Sequence, residues 1–561
     1  MLFNSYTFIF AFLPTVLLLA VLARRWFGLS AAIGITILSS VVFYGWHRPE
    51  IVLLLLGSIG VNYLLTGMVW RAPPPAPLSA AVVADPGAME AEREGGRSRR
   101  WWITALAITL NLLLLGYFKY TNFFVDNLEA VTGSEMRVAD IALPIGISFY
   151  TFQQIAYCAD TYAGKVRERD FLSYALFISF FPQLIAGPIV HHSDLTRQFR
   201  LPSFARPSTD DVLTGLALFS VGLFKKKIIA DSFAAYATPV FIAADGGASV
   251  EFAQAWQAAL GYTFQIYFDF SGYSDMALGL ARMFGIRLPM NFFSPYKSVS
   301  IIAFWRRWHI TLSHFLRDYL YIPLGGNRRG QTRRWINLAL TMLLGGLWHG
   351  ANWNFVVWGG LHGLYLVLAN AWRAAFPGLA QKDGFRGGDA DGGRGLAWRV
   401  NAVAGWAVTF LAVVVAWVFF RATTFGGATS ILAGMFGLSS GGAVAGGATG
   451  APVADTAAAG AGTASASPDA VAAVVYDAPV DPVFWLWSAG ALLVAVALPN
   501  TMEIFSRVRI SVEEVKAPSR AFGVLPLIFR PNLLWLVAIG VLAGVAVFYQ
   551  SPTTEFLYWQ F

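Results

Sequence analysis

The chain contains several apolar runs that are about as long as a lipid bilayer is thick. The clearest are Phe8–Ala23, Ile51–Trp70, Trp102–Phe118, Asn401–Phe420 and Leu533–Tyr549. Each approaches the ~20 apolar residues with which a helix crosses the hydrocarbon core. Only 13% of the residues are charged, about half the ~25% of a soluble domain. Because the backbone must satisfy its own hydrogen bonds in lipid, these runs predict an all-α, polytopic transmembrane bundle.

The cysteine content and the charge argue against a disulfide-stabilised protein, a thiolate metal site and a nucleic-acid-binding protein. Cys158 is the only cysteine, so the chain forms no internal disulfide and no cluster of thiolate metal ligands. The net charge of +8 is best explained by basic membrane-flanking loops, and we expect no nucleic-acid partner. The opening MLFNSY carries no basic residue, which favours a retained first helix over a cleaved signal peptide.

Lysine and arginine concentrate in loops that we predict to face the cytoplasm. The segments 71–100, 285–334 and 373–399 are basic, whereas 437–482 has four aspartates and no lysine or arginine. This asymmetry predicts a multi-pass protein of the bacterial inner membrane, surrounded by membrane lipid, with both termini in the periplasm.

The apolar pattern predicts roughly 11 to 14 membrane segments, some of them short and re-entrant. The short segments are Ile336–His349 and Ile228–Ala243. The second of them contains Pro239. The predicted layout is a core over 1–372, a cytoplasmic linker over 373–400, a transmembrane helix over 401–420, an Ala/Gly-rich disordered periplasmic linker over 437–482, and C-terminal transmembrane helices over 483–561.

Two aspartates lie in the apolar stretch YFDFSGYSD, Asp269 and Asp275. An acid within a span is costly and faces a cavity or a charged partner. We favour a structural role, in which either acid pairs with an arginine of the following loop. Gly272 between them would let a second helix approach closely.

The segment Phe304–Gly330 is both basic and aromatic. Its candidate ligand-binding residues are Arg306, Arg307, Trp308, Arg317, Tyr319 and Arg328. Arginine forks bind phosphate, and aromatic rings stack on a nucleobase; coenzyme A carries both groups. Ordinary positive-inside charge with interfacial aromatics explains the same composition equally well.

The third motif is LWHGANW, residues 347–353, which follows an apolar run. A buried imidazole favours its neutral form, and a neutral imidazole can act as a general base. Gly350 leaves room for a substrate, and Asn352 adds a polar group to the predicted cavity. A hydrogen-bonded core histidine is the competing interpretation for His349 and for His309. The histidines lack the spacing of a zinc site, so no metal is expected.

Three ordered stretches resemble the membrane-bound O-acyltransferase (MBOAT) family, closest to its bacterial alginate O-acetylation branch. They are YFDFSGYSDMALGLARMFGI, FWRRWHITLSHFLRDYLYIPLGGNRRG and LGGLWHGANWNFVVWGGLHG. The likeness covers roughly Met1–Trp372 and the last apolar span, and departs at the insertion 438–481. It implies a ring-like bundle of tilted helices around a central tunnel.

The resemblance also implies roles. His349 corresponds to the family's catalytic histidine and His309 to its polar partner. The donor would be acetyl-CoA or another acyl thioester, bound at the basic loop, with no resident cofactor. The acceptor would be a periplasmic SGNH-type acetyltransferase or a glycan, as in alginate biosynthesis.

Other functions remain open from the residues alone. A transporter would use Asp269 and Asp275 as ion sites without chemistry. An acyltransferase of the same family could act on teichoic acid, lipid or protein.

Overall fold

The computed structural model describes residues 1–71, 99–134, 141–166, 169–376, 396–438, 481–513, 528–530, 532–549 and 556–557. The regular structure in these ranges is helical, which confirms the predicted all-α class. Five helices are long and apolar enough to cross a membrane, and four shorter helices are also apolar. The predicted number of segments and the central tunnel remain predictions.

We number the helices in chain order. They are α1 Thr7–Trp26, α2 Leu29–Gly45, α3 Glu50–Arg71, α4 Arg99–Thr132, α5 Ile147–Tyr162, α6 Phe171–Ser179, α7 Phe181–Leu184, α8 His192–Phe199, α9 Thr209–Phe224, α10 Asp231–Asp245, α11 Phe252–Met283, α12 Ile301–Trp305, α13 Ile310–Leu316, α14 Gly330–His349, α15 Trp353–Ala375, α16 Leu396–Arg421, α17 Phe425–Met435, α18 Pro482–Val496, α19 Thr501–Ile504 and α20 Leu533–Phe548.

The centre of the bundle is α11, which is buried along nearly its whole length. Glycines bring α9 against it at two levels. A Cβ on Gly222 would lie 2.4 Å from the carbonyl oxygen of Gly272, and one on Gly215 would lie 2.7 Å from that of Gly279. The two backbones are therefore in direct contact, which is the close approach predicted at Gly272.

Two irregular turns interrupt the helices near the site. Lys225–Ala230 forms a π-helical turn between α9 and α10, and Arg317–Tyr321 forms another after α13. Such turns carry wider hydrogen-bond rings and are frequent at functional sites. Pro239 lies inside α10, which is continuous through it, within the segment 228–243 predicted to be short and re-entrant.

Other sequence boundaries shift on the structure. The segment 336–349, predicted to be a short one, is the apolar part of α14, which begins at Gly330 and has 20 residues. The arginines at its start extend the helix toward the surface. Helix α15 continues to Ala375 and α16 begins at Leu396. Most of both predicted linkers lies outside the described residues.

Candidate active site

His349 is the last residue of α14, at the tip of an antiparallel hairpin with α15. Glycines set the packing of this hairpin. A Cβ on Gly346 would lie 2.3 Å from the carbonyl oxygen of Phe355, and one on Gly359 would lie 2.5 Å from that of Met342. The 20 residues of α14 span about 30 Å. His349 therefore lies at the opposite end of the helix from Arg328 and Arg329, which directly precede its first residue.

The imidazole of His349 lies inside an aromatic box. Its ring centroid is 4.9 Å from Trp348, 5.0 Å from Trp358 and 5.1 Å from Phe420. The side chain is only 3% exposed. Trp358 extends the box to His362, whose ring is 4.8 Å away. The walls exclude water and restrict the rotation of the imidazole.

Lys119 of α4 caps the end of the helix that carries His349. Its ammonium donates hydrogen bonds to the carbonyl oxygen of Trp348 and, at 3.1 Å, to that of His349. It also donates to Ser148 Oγ at 3.3 Å. The Tyr120 hydroxyl donates to the Leu347 carbonyl at 2.8 Å. The last carbonyls of a helix lack partners in the helix and carry partial negative charge, so a cation there is stabilising.

His309 is fully buried and precedes α13 in the left-handed region, at φ 43° and ψ 55°. This conformation is uncommon for a residue with a side chain, and it occurs often at functional sites. His309 Nδ1 lies 3.0 Å from Asn291 Oδ1, which also accepts from the Thr311 hydroxyl at 3.0 Å. The ring stands edge-on to Phe270 of α11 at 4.8 Å.

The structure brings the predicted pair of histidines together. His309, Lys119 and His362 are the basic groups within electrostatic range of His349. Lys119 and Asn291 did not emerge from the sequence pattern. A lysine directly after an apolar run is typical of the end of a span, and an asparagine in a loop carries no signal of its own.

The predicted donor-binding residues separate into different surroundings. Arg306, Arg317 and Arg328 are exposed, and Arg307 is partly exposed. Trp308 is only 1% exposed, and its ring lies 4.9 Å from that of Trp417. Trp308 is therefore part of the buried aromatic cluster, where its ring does not reach the exposed arginines.

Tyr319 lies beside a polar cavity of about 250 Å³ at the end of the bundle where the basic loop lies. Its hydroxyl donates to Asp160 at 2.9 Å and contacts His191 Nδ1 at 3.1 Å. The Asp160 carboxylate, 3.7 Å from Nδ1, raises the pKa of His191. Lys165 forms a further ion pair with Asp160 at 2.9 Å.

A column of aromatic rings joins this cavity to the aromatic box around His349. Tyr319 contacts Phe315 at 5.0 Å, Phe315 stacks on Phe152 at 4.2 Å, and Phe152 stacks on Trp348 at 4.9 Å. Trp348 is the neighbour of His349. The column is a continuous line of packed rings from the basic end of the bundle to the neighbour of His349.

The two predicted acids are structural ion pairs. Asp269 lies 2.7 Å from Lys226, and Asp275 lies 2.6 Å from Lys225. The partners are lysines of the preceding π turn, and not the arginine of the following loop that we expected. Asp275 also accepts from the Thr501 hydroxyl at 2.7 Å. With their charges already paired, these acids give no support to ion-coupled transport.

A second cavity, of about 350 Å³, opens on the other side of His349. Gly350, Asn352, Lys119, Phe420 and Arg421 are among the residues that line it. Phe420 also forms one wall of the box around His349. Asn352 caps α15 by accepting from the Asn354 amide at 2.8 Å. His349 thus stands between the aromatic column from the basic end and a cavity at the opposite end.

This arrangement suits proton transfer by an imidazole between two substrates. The ring is held by its helix end and by aromatic walls, and a second imidazole lies nearby. Within the described ranges, no three His, Cys, Asp or Glu side chains form a group that could hold a metal ion.

Comparisons with known proteins agree on one family. The family model for MBOAT, the membrane-bound O-acyltransferase family, matches residues 99–386. A peptidoglycan O-acetyltransferase of Helicobacter pylori is 40% identical over 467 residues, covering 78% of this chain and 80% of the relative. A probable alginate O-acetylase AlgI of Pseudomonas aeruginosa is 41% identical over 431 residues, covering 75% of this chain and 72% of the relative. A teichoic acid D-alanyltransferase of Streptococcus thermophilus is 30% identical over 242 residues, covering 41% of this chain and 57% of the relative.

Proposed function

Because the chain belongs to the membrane-bound O-acyltransferase family, we propose that it moves an acetyl group from a cytoplasmic thioester to a periplasmic acceptor. It is a multi-pass membrane O-acyltransferase. The observation that carries the proposal is the position of His349, between the aromatic column from the basic end and the cavity at the other end. One imidazole there serves substrates that arrive from both sides.

The proposed donor is acetyl-CoA, held at the cytoplasmic face. The exposed arginines Arg306, Arg317 and Arg328 suit its phosphates. The aromatic column from Tyr319 to Trp348 suits the apolar acyl-carrying arm. We place the basic loop in the cytoplasm because loops rich in lysine and arginine stay on that side.

In the proposed reaction His349 acts as the general base. It accepts the proton of the acceptor hydroxyl while the hydroxyl oxygen attacks the thioester carbonyl. The tetrahedral intermediate then collapses, the carbon–sulfur bond breaks, and the imidazolium returns the proton to the leaving thiolate. Such assistance contributes roughly 10²–10⁴-fold in rate. His309, held by Asn291, would orient the acceptor or donate to the developing oxyanion.

The proposed acceptor is an exopolysaccharide or a cell-wall glycan, reached directly or through a periplasmic SGNH-type acetyltransferase. The similarity to a peptidoglycan O-acetyltransferase and to probable alginate O-acetylases supports O-acetylation of a glycan. The location follows from the acceptor, which places the protein in the inner membrane of a bacterium.

The test is acetyl transfer in proteoliposomes with radiolabelled acetyl-CoA, followed by mass spectrometry of cellular glycans. His349→Ala is expected to lower the transfer rate by at least 10²-fold. His47→Ala, which removes an exposed histidine, is the matched control and should retain full activity. A stably inserted His349→Ala protein that still supports normal glycan acetylation would refute the catalytic role.

A further inference from the structure

Two buried rings that carry nitrogen lie on one face of α15, beside the imidazole of His349. Trp358 is 1% exposed and His362 is 0% exposed. The two residues are four positions apart, so their side chains share a helix face, and their ring centroids are 4.8 Å apart. Trp358 stands edge-on to His349, with the centroids 5.0 Å apart and the planes at 86°. This face of α15 therefore forms the wall of the aromatic box that continues from His349 to His362.

A hydrogen bond to His362 fixes which of its nitrogens carries the proton. Trp305 of α12 donates from Nε1 to His362 Nδ1 at 3.3 Å. An indole N–H can only donate, so Nδ1 must accept, and the proton of the neutral imidazole lies on Nε2. Trp358 Nε1 and His362 Nε2 are thus both donors. Neither has a hydrogen-bond partner within the part of the chain that the structure describes.

The surroundings of these two donors are aromatic. A buried N–H without an acceptor costs free energy, and the rings of Phe420 and Trp417 that pack against Trp358 offer it no oxygen. Preorganised donors in a site that excludes water stabilise an oxygen that gains negative charge during a reaction. In the proposed function that oxygen belongs to the thioester carbonyl, which must lie beside His349 when the acceptor hydroxyl attacks.

We propose that Trp358 and His362 form the oxyanion site for the donor thioester, with Trp305 as the positioning residue of His362. This rests on the proposed function. As the acceptor oxygen bonds to the thioester carbon, the carbonyl π electrons move onto the carbonyl oxygen. That oxygen accepts hydrogen bonds from Trp358 Nε1 and His362 Nε2 and takes neither proton. The carbonyl reforms as the carbon–sulfur bond breaks, and the thiolate receives its proton from the imidazolium of His349. His309 is then left to orient the acceptor.

The test removes one N–H group and keeps the ring that carries it. Trp358 is replaced by 3-benzothienylalanine, in which sulfur takes the place of the indole N–H. Two acyl donors are compared in proteoliposomes: acetyl-CoA, and its dithioester analogue in which sulfur replaces the carbonyl oxygen. Oligomers of N-acetylglucosamine and of uronic acids are offered together as acceptors. Release of the coenzyme A thiol gives kcat and KM for each acyl donor.

Sulfur accepts hydrogen bonds weakly, so the dithioester gains little from an oxyanion site. Loss of the Trp358 N–H should lower kcat for acetyl-CoA by about 10²-fold. The same replacement should lower kcat for the dithioester by less than about threefold, with KM nearly unchanged for both. The matched control is 3-benzothienylalanine at Trp256, whose N–H donates to the Met435 carbonyl oxygen at 3.1 Å; it should change neither rate.

Substitutions at the second donor test the same site independently. His362→Gln keeps an N–H donor and should retain more of the acetyl-CoA rate than His362→Leu. Trp305→Phe removes the bond that fixes the His362 tautomer, and it should narrow the difference between the two acyl donors without changing KM. If the Trp358 variant does not fold, the two His362 variants decide the question with the same pair of acyl donors.

Equal losses for the two acyl donors after the Trp358 replacement would show a structural role and overturn the proposal. Equal acetyl-CoA rates in His362→Gln and His362→Leu would also overturn it. So would loss of the oxygen preference on replacing Trp348 alone, whose indole N–H also has no partner in the described ranges. Absence of thiol release by the unmodified protein with either acyl donor rejects the proposed function, whereas normal release without an oxygen preference rejects the oxyanion site alone.

Discussion

Replacing Lys119 with methionine tests whether α4 holds His349, the proposed general base, in place. Methionine has a similar length and fills similar space, but it cannot donate to the carbonyls of Trp348 and His349. The hydroxyl of Tyr120 still holds Leu347, so α14 keeps one of its contacts with α4. The substitution therefore loosens the last residues of α14 without detaching the hairpin.

The magnitude follows from the bonds that are lost. A hydrogen bond from a charged donor contributes about 1.5–3 kcal/mol, so two bonds to carbonyls amount to about 3–6 kcal/mol. Removing the buried ammonium recovers several kcal/mol of desolvation cost, which leaves a net loss of stability of about 1–3 kcal/mol. A displacement of about 1 Å at a reacting group costs roughly 10²-fold in rate, and that is the expected fall in kcat.

The assay is acetyl transfer in proteoliposomes, with KM for acetyl-CoA measured alongside kcat. KM is expected to change by less than about twofold, because Lys119 donates to the end of α14 and to Ser148, and not to the proposed donor-binding arginines. Lys119→Arg should recover part of the rate. Ser148→Ala removes only the third contact of Lys119 and should stay near the unmodified rate. A well-folded Lys119→Met protein with unchanged kcat would refute the capping role.

Other consequences of the structure can be measured in the same way. Asn291→Ala removes the partner of His309 Nδ1 and should lower kcat by roughly 10–100-fold. The control is Asn370→Ala, which removes a side chain that accepts from Arg334 and should leave kcat unchanged. Equal effects of the two substitutions on kcat would contradict the positioning role of Asn291. Gly346→Val should lower the free energy of unfolding by at least about 1–3 kcal/mol, because a Cβ there meets the Phe355 carbonyl oxygen at 2.3 Å. The control is Gly360→Ala, whose Cβ meets its nearest atom at 3.9 Å and should be tolerated. Thermal unfolding in detergent compares the stabilities of the two variants. The pKa of His191 is raised above its ordinary value of 6.5, chiefly by Asp160. The contribution of protonated His191 to the free energy of unfolding is therefore complete below about pH 6.5 and is lost as pH rises through the higher folded-state pKa. His191→Ala should flatten the dependence of the free energy of unfolding on pH in this range, and an unchanged slope would contradict the pairing.

Local features of the sequence predicted much of this structure. The apolar runs fixed the all-α class, and Gly272 predicted a close helix approach that the structure shows. His349 stood out because a histidine after an apolar run is rare. The sequence pattern groups Trp308 with the arginines of the basic segment, but in the structure it is buried beside Trp417. The composition of a basic segment does not show which of its aromatic side chains is buried.

The residues that sequence reasoning missed act over long separations. Lys119 and His349 are 230 positions apart in the chain, and Asp275 pairs with Lys225 across two different helices. Periodicity and local motifs report which face of a helix is apolar, but they do not report which helix packs beside it. The cap on α14 and the position of the partly exposed Arg421 in the cavity wall therefore emerge only when α4, α14 and α16 are assembled.

In the proposed function, the position of His349 at a helix end lets one residue serve two sides of a membrane. A histidine in mid-helix would have backbone above and below it and would be open to one side. At the tip of the α14–α15 hairpin, the imidazole has the aromatic column on one side and the cavity of Gly350 and Arg421 on the other. In the proposed function only the acetyl group passes between them, while Trp358 and Phe420 close the space around the ring. The protein then needs no alternating-access motion, because neither coenzyme A nor the acceptor has to cross the bilayer.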